Sequence, residues 1–558
     1  MEQRENERKS VIQNIGNEKV EVIFKKSLDP ATQPMFYWPV NHQITVEDGI
    51  VIERDVAIKM RDGITIYADV FRPEGEKKVP AILAWSGPGK NYSFHAKGGI
   101  PGIIDKDTLS PWCKQESQDP AYWCHYGYAV INTDSRGVGN SEGDFNFFSD
   151  IENEDSCETI SWIATQEWCN GKVAMIGTAF PGVSTWFAAA KRPPALACIA
   201  PEATYDVYRS IIMRGGVFDA EMMGHVMSRF YGNGYYEDIV SMATNNPLMN
   251  AYWQEKIADV EAIDIPVFVH ANTNIFHSGN MEGFQRLKTT KKWLKTDNGI
   301  TWRDPYFYET LEETRRFFDR YLKNIHNGWE FTPQVRLAIY DKPGFDIIDR
   351  VEAEWPPARA EHKKLFLDIT KSTMSFDAPN EAANVSYHAG TKGENIFTIK
   401  FDEDIELLGY GKLRLWVEAK GADDMNVFVA LSKLDTNGKP VPLQWHHQIH
   451  GGSSGVLRVS HRELDKERST DSQPVQSHQR ELKLNPGEIV PIDIPLFPFG
   501  FKFHAGEQLC LTISDEMKRR KSVAMDSVNL ETENKGVHVF HAGGEYDSYL
   551  YIPTTPIL

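Results

Sequence analysis

The segment Gly177-Thr178-Ala179-Phe180-Pro181-Gly182 constrains this chain more than any other. It follows the apolar run Val173-Ala174-Met175-Ile176 and precedes a helical pattern over 183–190. A buried strand, a tight glycine-flanked turn and a helix form the setting of the G-x-S-x-G elbow, where a strained turn lifts a nucleophile above a sheet. That setting needs a mostly parallel sheet with helices packed on it. The residue at the tip is Ala179, which carries no oxygen. The pattern therefore predicts the scaffold of a nucleophilic site without its nucleophile.

The flanking sequence agrees with such a sheet. Segments 56–60 and 64–71 alternate around Arg61-Asp62-Gly63 as a hairpin would. Segments 79–85, 128–133, 195–200 and 265–270 read as short apolar strands, with 160–166 on a helix between two of them. Alternation of strands and helices predicts a parallel α/β sheet. Segments 205–213, 219–230 and 247–260 read as methionine-bearing helices, so an insertion over about 203–263 would lie across the sheet as a cap. A helix is expected over 305–322. From Val335 onward, short alternating stretches such as 412–419 and 427–431 predict an all-β domain of sandwich or jelly-roll type. The expected organisation is an arm over 1–50, an α/β domain over 51–330 and a β domain over 331–558, without internal repeats.

Bulk properties narrow the function classes. The 558 residues exceed what one core holds. A formal net charge of -18 argues against nucleic acid as a partner. No apolar run reaches the ~18–20 residues of a membrane span, and MEQRENERKS lacks the apolar centre of a signal peptide. Cysteines 113, 124, 157, 169, 198 and 510 show no C-x-x-C spacing and read as reduced thiols. A cytoplasmic location is the expectation.

Several stretches, in order, carry a family resemblance. They are Met60-Arg61-Asp62-Gly63, Asp134-Ser135-Arg136-Gly137 with Ser141-Glu142-Gly143, residues 162–177 (WIATQEWCNGKVAMIG), Phe317-Phe318-Asp319-Arg320-Tyr321-Leu322-Lys323, and residues 455–465 (GVLRVSHRELD). Together they resemble the X-prolyl dipeptidyl-peptidase and cocaine-esterase-like (CocE/NonD) family of α/β-hydrolases, over roughly residues 50–558. The resemblance implies an α/β-hydrolase fold with a helical cap, then a jelly-roll domain. It also implies serine hydrolysis of esters or amides with no metal or organic cofactor, and a homodimer.

Carried over residue by residue, the family's catalytic groups are replaced. Its nucleophile falls on Ala179. Its acid, heading a D-x-F-x-x-G pattern, falls on Asn274 of Asn274-Ile275-Phe276-His277-Ser278-Gly279. Its histidine falls on Asn298 of Trp293-Leu294-Lys295-Thr296-Asp297-Asn298-Gly299, and a slip of one residue would make Asp297 the acid there. Its oxyanion tyrosine falls on Pro88 of Ser86-Gly87-Pro88-Gly89-Lys90. The N–H of Phe180 survives as an oxyanion donor. Without a nucleophile no acyl-enzyme forms, and asparagine neither steadies an imidazolium nor accepts a proton near pH 7. Loss of a whole triad costs on the order of a million-fold in rate.

The pocket should persist, with walls from Ala179, Phe180, the loop 90–95, the segment 202–209 that includes Tyr205, and the cap. His277, one turn beyond Asn274, is the sharpest acid/base candidate, since imidazole titrates near neutral pH. Lys90, Tyr92 and His95 could polarise a carbonyl. His270, at a strand end, could point at the site, and Asn274 and Asn298 could bond a substrate. Each has a plainer structural alternative: a packing or solvent-facing histidine, surface lysine and tyrosine, a turn aspartate, loop-holding asparagines. Gly137, Gly139 and Gly143 have the wrong spacing for a dinucleotide loop. His446, His447 and His450 share no helix face, so no metal site is expected. Ser184 lies beyond the tip. The leading expectation is a non-hydrolytic enzyme of specialised metabolism. It would act on a small, largely apolar carbonyl compound by cyclisation, isomerisation or condensation. The alternatives are a catalytically dead binding or scaffold protein, and an ester or amide hydrolase or acyl transferase with relocated residues.

Overall fold

The computed structural model describes residues 7–32, 37–75, 77–85, 87–93, 106–228, 230–271, 278–299, 304–443, 452–517 and 534–557. The chain opens with a hairpin, β1 (Arg8–Ile15) and β2 (Glu18–Lys26), which pairs with a short strand, Tyr235–Glu237, of the cap region. The N-terminal stretch is thus structured, although its pattern is faint. Of β1 and β2 only Ile15, Val22 and Phe24 are buried, too few to show a period.

A second hairpin joins β3 (Gln43–Glu47) to β4 (Ile50–Lys59). Its turn, Asp48-Gly49, has positive φ at both residues (49° and 74°), as a two-residue type I′ turn requires. The remaining strands of this sheet are β5 (Thr65–Pro73), β6 (Val79–Ala84), β7 (Ala129–Asp134), β8 (Cys169–Thr178), β9 (Leu196–Glu202), β10 (Val267–Ala271), β11 (Lys292–Thr296), β12 (Val335–Ile339) and β13 (Ile347–Glu352). They form one eleven-stranded sheet in the order β13-β12-β11-β10-β9-β8-β6-β7-β5-β4-β3. From β7 to β12 all pairings are parallel. The central strands are apolar along their length and covered on both faces, as a parallel sheet needs. The sheet runs on to Glu352. The strand pattern after residue 330 therefore begins with two strands of the first domain, and nothing in their local sequence separates them from the β domain that follows.

Strand order reverses at β6, with β7 on one side and β8 on the other. The crevice at the C-terminal ends of β6 and β8 is where open α/β sheets bind ligands. Three of the cap's short helices start on side-chain caps. Asp219, Asp238 and Asn250 accept the N–H groups of Met222, Ser241 and Trp253. These caps cut the cap region into shorter helices than periodicity suggests. The segment 205–213 forms only a single wide turn at Tyr208–Ile212, and a two-strand ribbon at Met213–Arg214 and Val217–Phe218 then reverses the chain.

Thirteen strands between Glu361 and Thr555 form the all-β C-terminal domain around its own core, including Leu365, Leu413, Leu431, Leu511 and Ile552. No helix among the described residues is long and apolar enough to cross a membrane.

Candidate active site

Strand β8 ends at Thr178, and the helix Phe180–Ala190 starts two residues later. Between them Ala179 takes φ 55° and ψ -121°, a strained conformation for a residue with a Cβ. Gly177 and Gly182 make the turn possible. A Cβ on Gly177 would meet Pro181 Cβ at 2.3 Å, and one on Gly182 would meet Gly177 O at 2.6 Å. The helix therefore packs against the strand closer than any side chain allows. Phe180 is the first helical residue, so its N–H has no intrahelical acceptor and projects at the elbow. The strand–turn–helix backbone has the geometry of an elbow, with the Ala179 methyl at its tip.

Above Ala179 lies a cavity of about 110 Å³. Pro88, Glu116, Phe147, Phe148, Ala179, Phe180, Val183, Ala203, Ile211, Met222, Met223, Val226 and Phe230 line it. The phenyl rings form a continuous wall, with Phe148 stacked on Phe180 at 4.3 Å between centroids and Phe180 6.2 Å from Phe230. Two buried carboxyl groups fix this wall from behind. Glu152 accepts the N–H of Phe148 at 2.7 Å and the indole N–H of Trp85 at 3.1 Å. Glu237 accepts the N–H of Phe147 at 2.8 Å. Burial pushes the Glu152 carboxyl up to about 8, against the pull of its N–H donors, so it is mostly protonated at neutral pH. No serine, threonine, cysteine or histidine belongs to the described lining, and Glu116 is its one ionisable residue.

The expected site residues separate. Ala179 and Phe180 form the cavity floor as expected. Lys90 does not face the cavity. Its ammonium is buried between Asp55 (2.8 Å) and Asp69 (2.7 Å), and its backbone N–H donates to Asp134. Burial opposes this charge, but Asp69, Asp134 and Asp55 outweigh it and hold the ammonium above its ordinary pKa. Tyr92 is buried in a tyrosine cluster with Tyr37 and Tyr231, away from the lining. Tyr205 is also outside it, donating to Glu282 at 2.8 Å and accepting from Arg468 at 2.9 Å.

His270 lines a second, smaller cavity of about 20 Å³ behind the elbow, with Thr178 and Glu202 among its other walls. Burial, then the nearby Lys295 ammonium, pushes it down to about 3, so the ring is neutral. Asp297 is a turn residue that accepts the Gly299 N–H at 3.2 Å, and Asn298 donates to Asp346 at 2.8 Å. Neither lines the elbow cavity. His95, Asn274 and His277 lie outside the described residues, as do His446, His447 and His450.

Sequence reasoning missed Glu116 and the aromatic wall. The run Phe145-Asn146-Phe147-Phe148 was the available signal for the wall. Glu116, alone between Gln115 and Ser117, offered none.

A mostly parallel sheet, an elbow after its central strand and a cap over the crevice define an α/β-hydrolase. Comparison with known proteins refines that class. Residues 62–233 match the X-Pro dipeptidyl-peptidase (S15 family) and residues 327–551 its C-terminal non-catalytic domain. A CocE/NonD family hydrolase from Staphylococcus aureus superposes with a TM-score of 0.85 at 30% identity, covering 98% of this chain and 97% of that one. Cocaine esterase from Rhodococcus sp. (strain MB1 Bresler) is 32% identical over 169 residues, 30% of this chain. That alignment spans only about a quarter of the relative's own length (26%). An α-amino acid ester hydrolase shares the fold at 17% identity, with a TM-score of 0.69 over 94% of this chain and 100% of that one. The chain belongs to the X-Pro dipeptidyl-peptidase/CocE-like (CocE/NonD) family of α/β-hydrolases.

Proposed function

We propose that the elbow cavity binds a small, largely apolar carbonyl compound and turns it over without an acyl-enzyme, by cyclisation, isomerisation or condensation. The observation that carries this reading is Ala179 at the tip of a fully formed elbow, beneath a cavity whose described lining holds no hydroxyl, thiol or imidazole. Such a cavity orients an apolar substrate by shape, and orientation alone lowers a barrier substantially. The Phe180 N–H remains to polarise a carbonyl. Glu116 is the lining residue able to exchange a proton with it. The proposed setting is a cytoplasmic enzyme of specialised metabolism.

One observation favours a second reading, ester or amide hydrolysis of the kind the relatives' names indicate. Thr178 donates to Glu202 at 2.6 Å, a hydroxyl–carboxylate pair one residue from the tip. Against it, Thr178 is buried and lines the smaller cavity rather than the larger one.

Turnover of an ester and X-Pro amide panel by the purified chain separates the two readings, with binding of apolar ketones followed by calorimetry. The first reading expects no multiple turnover of esters, and ketone binding that is lost in the cavity-filling variant Ala179→Leu. Sustained ester turnover that disappears in Thr178→Val would replace it with the second.

A further inference from the structure

The helix Phe180–Ala190 meets the elbow cavity at its first turn and a separate groove at its last. The groove has a volume of about 450 Å³, in the range of small-molecule sites. Four segments distant in sequence build it: the tip of the β1–β2 hairpin at Ile15-Gly16, the start of the helix Asp150–Thr165, the end of the elbow helix, and the cap segment 251–259. It shares no described lining residue with the elbow cavity. Phe187 lies between the two, lining the groove and stacking on Phe148 at 5.8 Å between centroids. With Ala190 and Ile257 it forms an apolar wall.

The other wall is polar and incompletely satisfied. Asn153 is only 4% exposed and lines the groove. Its backbone groups have partners, the N–H donating to the Ser149 carbonyl and the carbonyl accepting the Ser156 hydroxyl. Its side-chain amide has none among the described residues. Glu255 shows the same deficit. One of its oxygens accepts the Asp150 N–H at 2.9 Å, and Oε2 is buried with no hydrogen-bond partner. Burial holds this carboxyl above its ordinary pKa, although Lys256 and the Asp150 N–H act to lower it. Asp259, exposed at the rim, does not cap the turn it precedes and has no ion pair among the described residues. Buried polar groups without partners are rare and costly, so a buried amide and carboxylate left open on one groove call for a ligand that completes them. The neighbouring cations have other partners. Lys191 pairs with Asp150 at 2.7 Å, Arg192 lies 3.8 Å from Asp264, and Lys256 is buried on the Phe147 carbonyl and Glu237 at 2.6 and 2.9 Å. With the Lys191–Asp150 pair neutral, Glu255 and Asp259 leave the groove two uncompensated carboxylates.

We propose that this groove binds an aliphatic diamine as its diammonium ion, one head between Glu255 and Asn153 and the other at Asp259. The charge excludes an anion, and an uncharged donor would leave both carboxylates unpaired. An ammonium carries three donors and no acceptor, so the inner head meets the Glu255 carboxylate and the Asn153 amide oxygen together. The methylene chain lies along Phe187, Ala190 and Ile257, where a more polar linker would lose its water without replacement. The inner head, enclosed beside a buried carboxylate, contributes most of the affinity, and the outer head, at an exposed aspartate, contributes less.

Isothermal titration calorimetry of the full chain tests this with 1,4-diaminobutane, n-butylamine and 1-butanol as probes. The diamine is expected to bind about threefold more tightly than butylamine, as an exposed ion pair allows, and butanol not measurably. Glu255→Gln, which keeps an oxygen for the Asp150 N–H, should weaken both amines at least about tenfold. Asp259→Asn, at an exposed position, should remove only the diamine's advantage over butylamine. Ala179→Leu, which fills the elbow cavity, should leave all three probes unchanged. Butanol binding as tightly as the amines would overturn the proposal, as would no binding of the diamine at millimolar concentration. Weak binding indifferent to Glu255→Gln and Asp259→Asn, as general attraction to a net charge of -18 would give, would overturn it too. Loss of amine binding in Ala179→Leu would place the amine in the elbow cavity and not in the groove.

Discussion

Lys114 shows how little of a side chain's role is visible in its neighbours along the chain. It is fully enclosed at the C-terminal end of β6, donating to the Ala84 carbonyl at 3.1 Å. Burial pushes it down to about 7, although Asp134, Asp69 and Glu116 act to hold its proton. Burial likewise pushes Asp134 up to about 6. For Lys114 the folded pKa lies below the unfolded one. Between about pH 7 and the ordinary value of 10.5, the unfolded chain therefore carries a proton that the folded chain lacks. This group's contribution to stability thus rises with pH across that window and is constant below it. Lys114→Met should flatten the rise by on the order of a few kcal/mol. Urea midpoints at pH 7 and pH 9.5 measure it, and an unchanged difference between them would place the effect elsewhere. Lys90 makes the same point. From its loop it reads either as a surface lysine or as a group polarising a carbonyl, yet Asp55, Asp69 and Asp134, distant in sequence, converge on it.

At the scale of the element, the elbow holds a strained backbone at a residue that carries no hydroxyl. Ala179 holds positive φ because the Gly177–Gly182 approach and the pairing of β8 with β9 leave the turn no alternative. Its N–H reaches the Glu202 carbonyl at 3.3 Å. Positive φ costs alanine more than glycine, so Ala179→Gly should stabilise the fold by about 1 kcal/mol. Denaturant unfolding checks this, and a loss of stability would mean that the Ala179 methyl packs well enough to offset the strain. The elbow was legible in the sequence because glycines and an apolar strand mark it locally. The cap was only half legible. Its methionines announced burial, but the caps at Asp219, Asp238 and Asn250 decide where each short helix starts.

Across the whole molecule, the sheet and the β domain are joined by a buried cation. Lys433 donates to Asp341 at 2.6 Å and to the Lys502 carbonyl at 2.8 Å, and lies 2.8 Å from Glu507. His504 adds a contact of 2.8 Å to Asp341. Asp341, His504 and Glu507 are the one group of side chains among the described residues close enough to hold a metal ion. The Lys433 ammonium already supplies positive charge there. Lys433→Met would leave two buried carboxylates facing each other and should cost roughly 3–5 kcal/mol. Calorimetry reads this as a lower Tm, or as two transitions if the β domain then melts separately. A Tm within a degree of the native chain would show that the other contacts between the two parts, such as Arg468 with Glu282 and Arg350 with Glu406, suffice to join them.

The sequence by itself determined the class of this protein. Strand, turn and helix periods are local, so 173–190 shows an elbow pattern with alanine at its tip without any knowledge of the fold, and the ordered family motifs extend that to the α/β-hydrolase and β domains. Tertiary structure decided which side chains share a space. Ala179 and Phe180 stayed on the floor of the cavity, while Lys90, Tyr92, Tyr205, Asp297 and Asn298 turned to partners elsewhere. Phe147, Phe148 and Glu116 entered the walls from loops between 110 and 150. Burial, charge pairing and crossover connections act between residues tens to hundreds of positions apart, and no local pattern encodes them.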